Sequence, residues 1–201
     1  MRAIGPDLVP DPVVPSLVAH PQAQAASALA QLANGHSGNQ DSIARAGGFP
    51  LLMALLASGT PEVQSMAALA ITEVCRKNVA NQQAAAESGC LASLVSLLQS
   101  RTAGVENDDV KSEAVAALWV LSEYHPENKK AIAGAGAIQP TVQLLAGGGT
   151  ERAQQHADYA LASLGFDNVD NQMQITKCVG PCRGLTQSTP EARICAIDTF
   201  V

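Results

Sequence analysis

Four apolar segments recur along the chain in one register: Ala28-Leu29-Ala30-Gln31-Leu32, Ala70-Ile71-Thr72-Glu73-Val74, Ala117-Leu118-Trp119-Val120-Leu121 and Ala160-Leu161-Ala162-Ser163-Leu164. An asparagine follows the first aliphatic residue of each by the same ten positions, at Asn39, Asn81, Asn128 and Asn171. Eight residues further stand Gly47, Gly89 and Gly136; the fourth copy has Val179 there, with Gly180 next. The copies are spaced 42, 47 and 43 residues apart. Self-similarity at this period marks a solenoid.

Each unit predicts three helices. The asparagine is placed as the N-cap of a short helix, accepting from an otherwise unpaired backbone N–H. The glycine two turns later ends that helix in a left-handed conformation. An apolar helix follows, at Phe49 to Ala57, Leu91 to Gln99 and Ile138 to Ala146. A turn comes next, Ser58-Gly59-Thr60-Pro61-Glu62 in one copy and Gly147-Gly148-Gly149-Thr150-Glu151 in another. Thr60 suits a cap and Pro61 the first helical position. A longer helix then runs through the aligned segment.

These features resemble the armadillo repeat: Phe49-Pro50-Leu51-Leu52-Met53-Ala54-Leu55-Leu56, then Thr60-Pro61-Glu62-Val63-Gln64, then Ala70 to Val74, the asparagine and the glycine elbow. HEAT repeats are the nearest rival, and the elbow and third helix favour armadillo. The resemblance implies an all-α, right-handed superhelix of about four three-helix units, whose third helices line a concave groove. Its divisions are an extended or disordered segment 1–12, a partial repeat 13–38, repeats 39–80, 81–127 and 128–170, and a truncated repeat 171–201. The first unit retains a remnant second helix, Val13 to Val18, and a third helix from about Pro21. The last copy reads Thr189-Pro190-Glu191-Ala192 like Thr60 to Val63, and Phe200 falls on the register of Ile71. Neither end has a polar cap, so a fragment of a longer array, or end-to-end self-association, is expected. A looser resemblance extends to vacuolar-protein-8-like and plant U-box-associated arrays.

Composition now gains a cause. Hydrophobic residues are 47% of the 201, yet aromatics only 3%. Such a profile suits helices packed through small residues and suits a β-sandwich poorly. Ala25, Ala26, Ala67, Ala68, Ala114, Ala117, Ala157 and Ala160 fall where third helices should pack, while Leu29, Leu32, Leu118, Leu121, Leu161 and Leu164 should fill the core. The net charge of −6 comes with scattered lysines and arginines, so no nucleic-acid surface is expected. Cys75, Cys90, Cys178, Cys182 and Cys195 read as reduced thiols, which places the protein in the cytoplasm or nucleus. Pro6, Pro10, Pro12 and Pro15 interrupt any signal-peptide core. No run of 18 apolar residues inserts into a membrane.

The polar positions bear on function. In importin-α and β-catenin families the asparagine of Ala-Leu-x-Asn-Leu holds an extended peptide. That register here holds Gln31, Glu73, Val120 and Ser163. Four residues earlier, where importin-α-like proteins place tryptophan, stand Ser27, Leu69, Ala116 and Tyr159. Neither ladder is retained. Helical spacing assigns one face to Gln24, Ser27, Gln31 and Asn34; to Met66, Leu69, Glu73 and Arg76; to Glu113, Ala116, Val120, Glu123 and Tyr124; and to His156, Tyr159, Ser163 and Asp167. The expected partner contacts are Gln31, Glu73, Arg76, Glu113, Trp119, Val120, Glu123, Tyr124, His156, Tyr159 and Ser163. Carboxylates outnumber Arg76 on this face, which favours another protein's basic or amphipathic segment, either a peptide or a helix. Trp119 has two readings, packing between units or a binding anchor.

The longer spacing between the second and third copies places an insertion near Ser100 to Val110. Asp108 or Asp109 would cap a helix beginning about Val110. Cys178 and Cys182 lack a second pair for zinc. His20, His36, His125 and His156 lie in separate units. No catalytic motif, cofactor loop or metal site is read. The function indicated is a non-enzymatic interaction scaffold; an importin-α-like transport adaptor and a purely structural spacer are the alternatives.

Overall fold

The computed structural model describes residues 15–100 and 105–179. Among them the chain forms eleven α-helices and no strand. Helix α1 is Pro15–Ala33; α2, Ser37–Arg45; α3, Gly48–Ser58; α4, Pro61–Cys75; α5, Val79–Glu87; α6, Cys90–Gln99; α7, Val105–Ser122; α8, Pro126–Gly134; α9, Ile138–Gln143, prolonged by a π turn over Leu144–Gly148; α10, Glu151–Gly165; and α11, Val169–Val179. The long helices α1, α4, α7 and α10 stack side by side in that order; α3, α6 and α9 form a second layer, with α5, α8 and α11 bridging the units. One continuous apolar core runs from Ala26 to Ile175.

Small residues make this stacking close. Ala26, Ala67, Ala68, Ala114, Ala117, Ala157 and Ala160 are all buried between the long helices. Ala25 is exposed. Leu118, Leu121, Leu161 and Leu164 fill the core as expected, and Leu29 is half-buried against it. Leu32 is 56% exposed, because none of the described residues covers the outer side of α1.

The recurring asparagine does a different job from the one its spacing suggests. It is the third residue of the short helix, and its side chain turns back to the helix before. Nδ2 of Asn39 donates to the carbonyl of Leu32 at 2.7 Å, Asn81 to Val74 at 3.0 Å, Asn128 to Leu121 at 2.8 Å and Asn171 to Leu164 at 2.9 Å. Each tie satisfies one of the last carbonyls of a long helix. The N-cap positions are instead His36, Asn78, His125 and Asn168; the Asn78 and Asn168 side chains accept from the backbone N–H of Asn81 and Asn171.

Two further registers recur. Gly47, Gly89 and Gly136 take φ of 80°, 86° and 85°, ending the short helices as expected. The residue just before each of these caps, four before the recurring asparagine and at the turn after each long helix, is also left-handed: Gly35 (φ 72°), Lys77 (56°), Tyr124 (60°) and Asp167 (53°). A non-glycine residue there carries roughly 1 kcal/mol of backbone cost. Lys77 is exposed, so Lys77→Gly should stabilise the array by about 0.5–1 kcal/mol, less whatever the freer unfolded chain takes back. Thermal melts read this as a rise of a few degrees; a fall would mean that the turn carries no strain.

Two helix boundaries depart from the sequence reading. Pro15–Ala33 is one helix that runs through Pro21, so there is no break between a remnant second helix and a third; Val13 and Val14 lie outside the described residues. Helix α7 begins at Val105 rather than near Val110, so Asp108 and Asp109 lie inside it and cap nothing. The extra residues between copies are thus partly absorbed as additional helix. The unit built on Thr189-Pro190 and Phe200, with Gly180, Cys182 and Cys195, lies outside the described residues. The turn before α4 forms as predicted, with Thr60 accepting from Val63 N–H and Pro61 first in the helix; Thr150 repeats it before α10.

Candidate functional site

The layer of long helices carries the predicted contact residues, and the structure sorts them into three kinds. Gln31 is exposed, bonded within its own helix to Ser27. Val120 is only 1% exposed and belongs to the core. It offers nothing to a partner. Ser163 is half-exposed but committed: the Ser122 hydroxyl donates to the Trp119 carbonyl at 2.7 Å, which leaves Ser163 to donate to Ser122 across the helices, also at 2.7 Å.

The second kind is a row of charges along the floor. Glu73 and Glu113 are buried. Arg76 binds Glu73 through Nε and Nη2 at 2.8–3.2 Å. Arg152 reaches Glu113 from the next long helix at 2.7 Å. Two of the carboxylates behind the acidic surplus expected on this face, Glu73 and Glu113, are therefore neutralised within the chain. Burial raises the Glu113 pKa, with Arg152 opposing it and Asp109 and Glu73 adding to it.

His156 sits beside this row, its Nδ1 3.0 Å from the Ser112 carbonyl and 3.3 Å from its hydroxyl. Burial lowers its pKa, the Ser112 carbonyl bond works the other way, and Arg152 and Arg76 add to the lowering. The unfolded histidine titrates near 6.5, so below that pH the unfolded chain takes up the proton first and this group's stabilisation is lost. The stability advantage of the wild type over His156→Gln should therefore shrink between about pH 7.5 and about pH 5.5. Paired melts at the two pH values check this, and a gap that widens on acidification would refute it. Glu113, whose pKa is raised, has the opposite sign: its penalty grows as pH climbs through its folded value.

The third kind lies open. Trp119 and Tyr159 stack across α7 and α10 with ring centroids 4.9 Å apart and planes tilted by 32°. They wall a pocket of about 500 Å³ that Glu123, Tyr124, Lys129, Phe166 and Asp167 also line. Tyr124 is 75% and Phe166 67% exposed. Both owe their position to the left-handed turns after α7 and α10. Lys129 is buried on α8; its ammonium donates to the Phe166 carbonyl at 2.8 Å and lies 5.1 Å from the Phe166 ring centroid. Burial lowers the Lys129 pKa, with Asp167 opposing, and burial raises that of Glu123, with Arg76 and Lys77 opposing.

Of the predicted contacts, Trp119, Glu123, Tyr124, Tyr159 and Ser163 converge on this pocket; Glu73, Arg76, Glu113 and His156 form the charge row; Gln31 stands apart on α1. Both readings of Trp119 meet here, since it packs between units and also walls the pocket. Phe166, Lys129 and Arg152 were not anticipated. The spacing that picks out Asn34, Arg76 and Glu123 falls on Phe166 in the last unit, so helical register alone was enough to find it. Nothing local marks Lys129 or Arg152, whose roles depend on reaching the next unit.

Among the described residues no three metal-ligating side chains cluster, and no helix is long and apolar enough to cross a membrane. Cys75, Cys90 and Cys178 are free thiols. Burial raises the pKa of Cys75 and pushes Cys90 up to about 11, which leaves both unreactive near neutrality.

The model of the armadillo/β-catenin-like repeat matches residues 36–76, the span of α2, α3 and α4. That span is an armadillo repeat, and the stacked helices around it have the armadillo-type fold. It is similar to an engineered protein of known structure at 28% identity over 89% of this chain and 73% of that one, with a TM-score of 0.75. It is similar at 26% identity to a designed armadillo repeat protein in complex with the peptide (KR)4, over 83% of this chain and 70% of that one, with a TM-score of 0.68. The armadillo-repeats-only protein of Plasmodium falciparum shares its fold at 22% identity, over 89% and 77% of the two chains and with a TM-score of 0.70. No curated protein sequence matches it. The stacked units thus form the right-handed armadillo superhelix, and the long helices are the third helices of its repeats.

Proposed function

We propose that this armadillo array is a non-enzymatic scaffold that binds a segment of another protein along its third helices, anchored at the Trp119–Tyr159 pocket. The exposed aromatic cluster carries the reading. A chain with 3% aromatic residues leaves three of them, Tyr124, Tyr159 and Phe166, exposed beside a half-buried Trp119 that stacks on Tyr159. Tryptophan and tyrosine dominate binding hot spots, where they fill desolvated pockets. A spacer would have no use for a pocket that leaves Tyr124 and Phe166 so exposed.

The designed relative that holds (KR)4 supports a peptide as partner and a basic composition for it. The importin-α-like alternative finds less support: its asparagine register is occupied by a buried Val120, by Ser163 bonded to Ser122, and by Glu73 bonded to Arg76. Association through uncapped terminal units, and a place in the cytoplasm or nucleus, remain parts of the proposal that sedimentation and localisation of the chain would test.

Selection of peptides from a random display library on the immobilised chain tests the central reading. Enriched peptides should compete with one another and lose about tenfold or more in affinity on Tyr159→Ala, about 1.4 kcal/mol. No enrichment, or enrichment indifferent to Tyr159→Ala and Trp119→Leu, would overturn it.

A further inference from the structure

We infer that Asn34, at the turn between α1 and α2, is a self-modification site. Its carboxamide closes onto the Gly35 backbone nitrogen and is converted through a cyclic imide to aspartate and isoaspartate. The inference goes beyond the scaffold reading and does not rest on it.

Asparagine followed by glycine suits this chemistry because the attacking nitrogen carries no Cβ neighbour to crowd the ring. Of the asparagines in the chain, only Asn34 precedes glycine. The fold holds the others back. Asn39, Asn81, Asn128 and Asn171 sit in short helices with their amides given to carbonyls of the preceding long helix. Asn78 and Asn168 are caps whose side-chain oxygens accept from Asn81 and Asn171 N–H. A stiff, β-branched valine follows each of these two caps. Asn107 lies within α7.

Asn34 has none of these restraints. It and Gly35 are exposed, and the Asn34 side chain has no hydrogen-bond partner among the described residues. The Gly35 N–H donates to none of them either. Gly35 has a φ of 72°, and a methyl group built on it would meet nothing within 4 Å. The turn is closed by the His36 N–H on the Ala33 carbonyl at 3.1 Å. Ring closure must swing the Asn34–Gly35 peptide unit and break that bond, a local opening at an exposed turn that leaves the core intact.

The step balances without any oxidant. Hydroxide takes the Gly35 amide proton, and the nitrogen attacks Asn34 Cγ. The N–Cγ bond forms, the Cγ–Nδ2 bond breaks, and Nδ2 leaves as ammonia with a proton from water. A second water then opens the five-membered imide. Attack at Cγ gives aspartate; attack at the backbone carbonyl carbon gives isoaspartate.

The position gives the change a consequence. Asn34 shares its register with Arg76, Glu123 and Phe166 on the groove face, so a new negative charge appears there in a chain of net charge −6. Isoaspartate also lengthens the main chain by one carbon, within the turn spanned by the 2.7 Å tie from Asn39 to the Leu32 carbonyl.

The test keeps the full, folded chain for days in mildly alkaline buffer made with heavy-oxygen water. Peptide mapping with fragmentation then reads each asparagine. Asn34 should convert several-fold faster than every other asparagine. Its product should carry heavy oxygen in the new carboxyl, include isoaspartate and appear with an equivalent of ammonia. Asn34→Gln, which would have to close a six-membered ring, should keep its amide under the same conditions. An Asn34 that outlasts or merely matches the other asparagines would overturn the inference. Conversion to aspartate without isoaspartate would overturn it as well, because the imide opens at either carbonyl.

Discussion

Leu121→Ala is expected to destabilise the array by about 3 kcal/mol, within the range for a large-to-small change at a fully buried leucine. Leu121 has no exposed surface and lies near the C-terminal end of α7, the long helix that packs against both α4 and α10. The loss combines the transfer of the missing methyl groups with a cavity that two neighbouring helices must close. In a chain of this length that corresponds to a drop of roughly 6–12 °C in melting temperature. Coupling in a solenoid runs between nearest neighbours, so the lesion should also loosen both flanking interfaces. Urea unfolding followed by circular dichroism and by Trp119 emission checks this. The two probes should separate if the central unit uncouples from the rest. A cost below about 1 kcal/mol would mean that the helices collapse around the gap and that the core is less rigid than its close stacking implies.

Asn81→Leu is expected to cost about 2 kcal/mol, because it removes the amide that satisfies the Val74 carbonyl in a buried site. The informative companion is Asn81→Ser. Serine is an excellent N-cap, so a capping role would tolerate it with little loss. It is too short to reach back seven residues to the end of α4, so a carbonyl tie would be lost almost as completely as in Asn81→Leu. Asn78→Ala, at the true cap, should cost about 1 kcal/mol and mark the lower end of the scale. Equal tolerance of Ser and Asn at position 81 would restore the capping assignment.

The two roles of asparagine show where reading the sequence succeeds and where it stops. Recurrence at fixed offsets identifies Asn39, Asn81, Asn128 and Asn171 as one structural feature. It does not say which carbonyl the amide reaches, because an N-cap and a third-position tie differ by three residues and both use the same side chain. The same applies at Lys77, Tyr124 and Asp167. Their left-handed backbone is visible from the glycine at position 35 in the first unit only once the four turns are superposed, since lysine, tyrosine and aspartate do not advertise a positive φ.

The candidate site divides along similar lines. Trp119, Tyr124 and Tyr159 are close in the repeat register, so their convergence on one pocket was legible. The charge of the surface was not. Counting acids against Arg76 leaves a surplus, but Arg152 comes from the following unit and meets Glu113 at 2.7 Å. Val120 shows the limit of helical spacing: the periodicity that places it on the partner's side of α7 cannot see that the stacked helices bury it.

What the sequence by itself determined about this protein is the unit: its three helices, the left-handed glycine elbow, the Thr-Pro start of α4, and the alanine register that lets long helices approach. These follow from local backbone preferences and from a period repeated four times over. What only the tertiary structure decided is which polar groups face one another across units. Partners 33 to 44 residues apart, such as Gln40 with the Glu73 carbonyl and His156 with Ser112, are set by how one unit is rotated on the next. That rotation is fixed by side-chain packing across the whole interface, and no single repeat encodes it. The same rotation opens the pocket at Trp119 and Tyr159 and closes the surface over Val120.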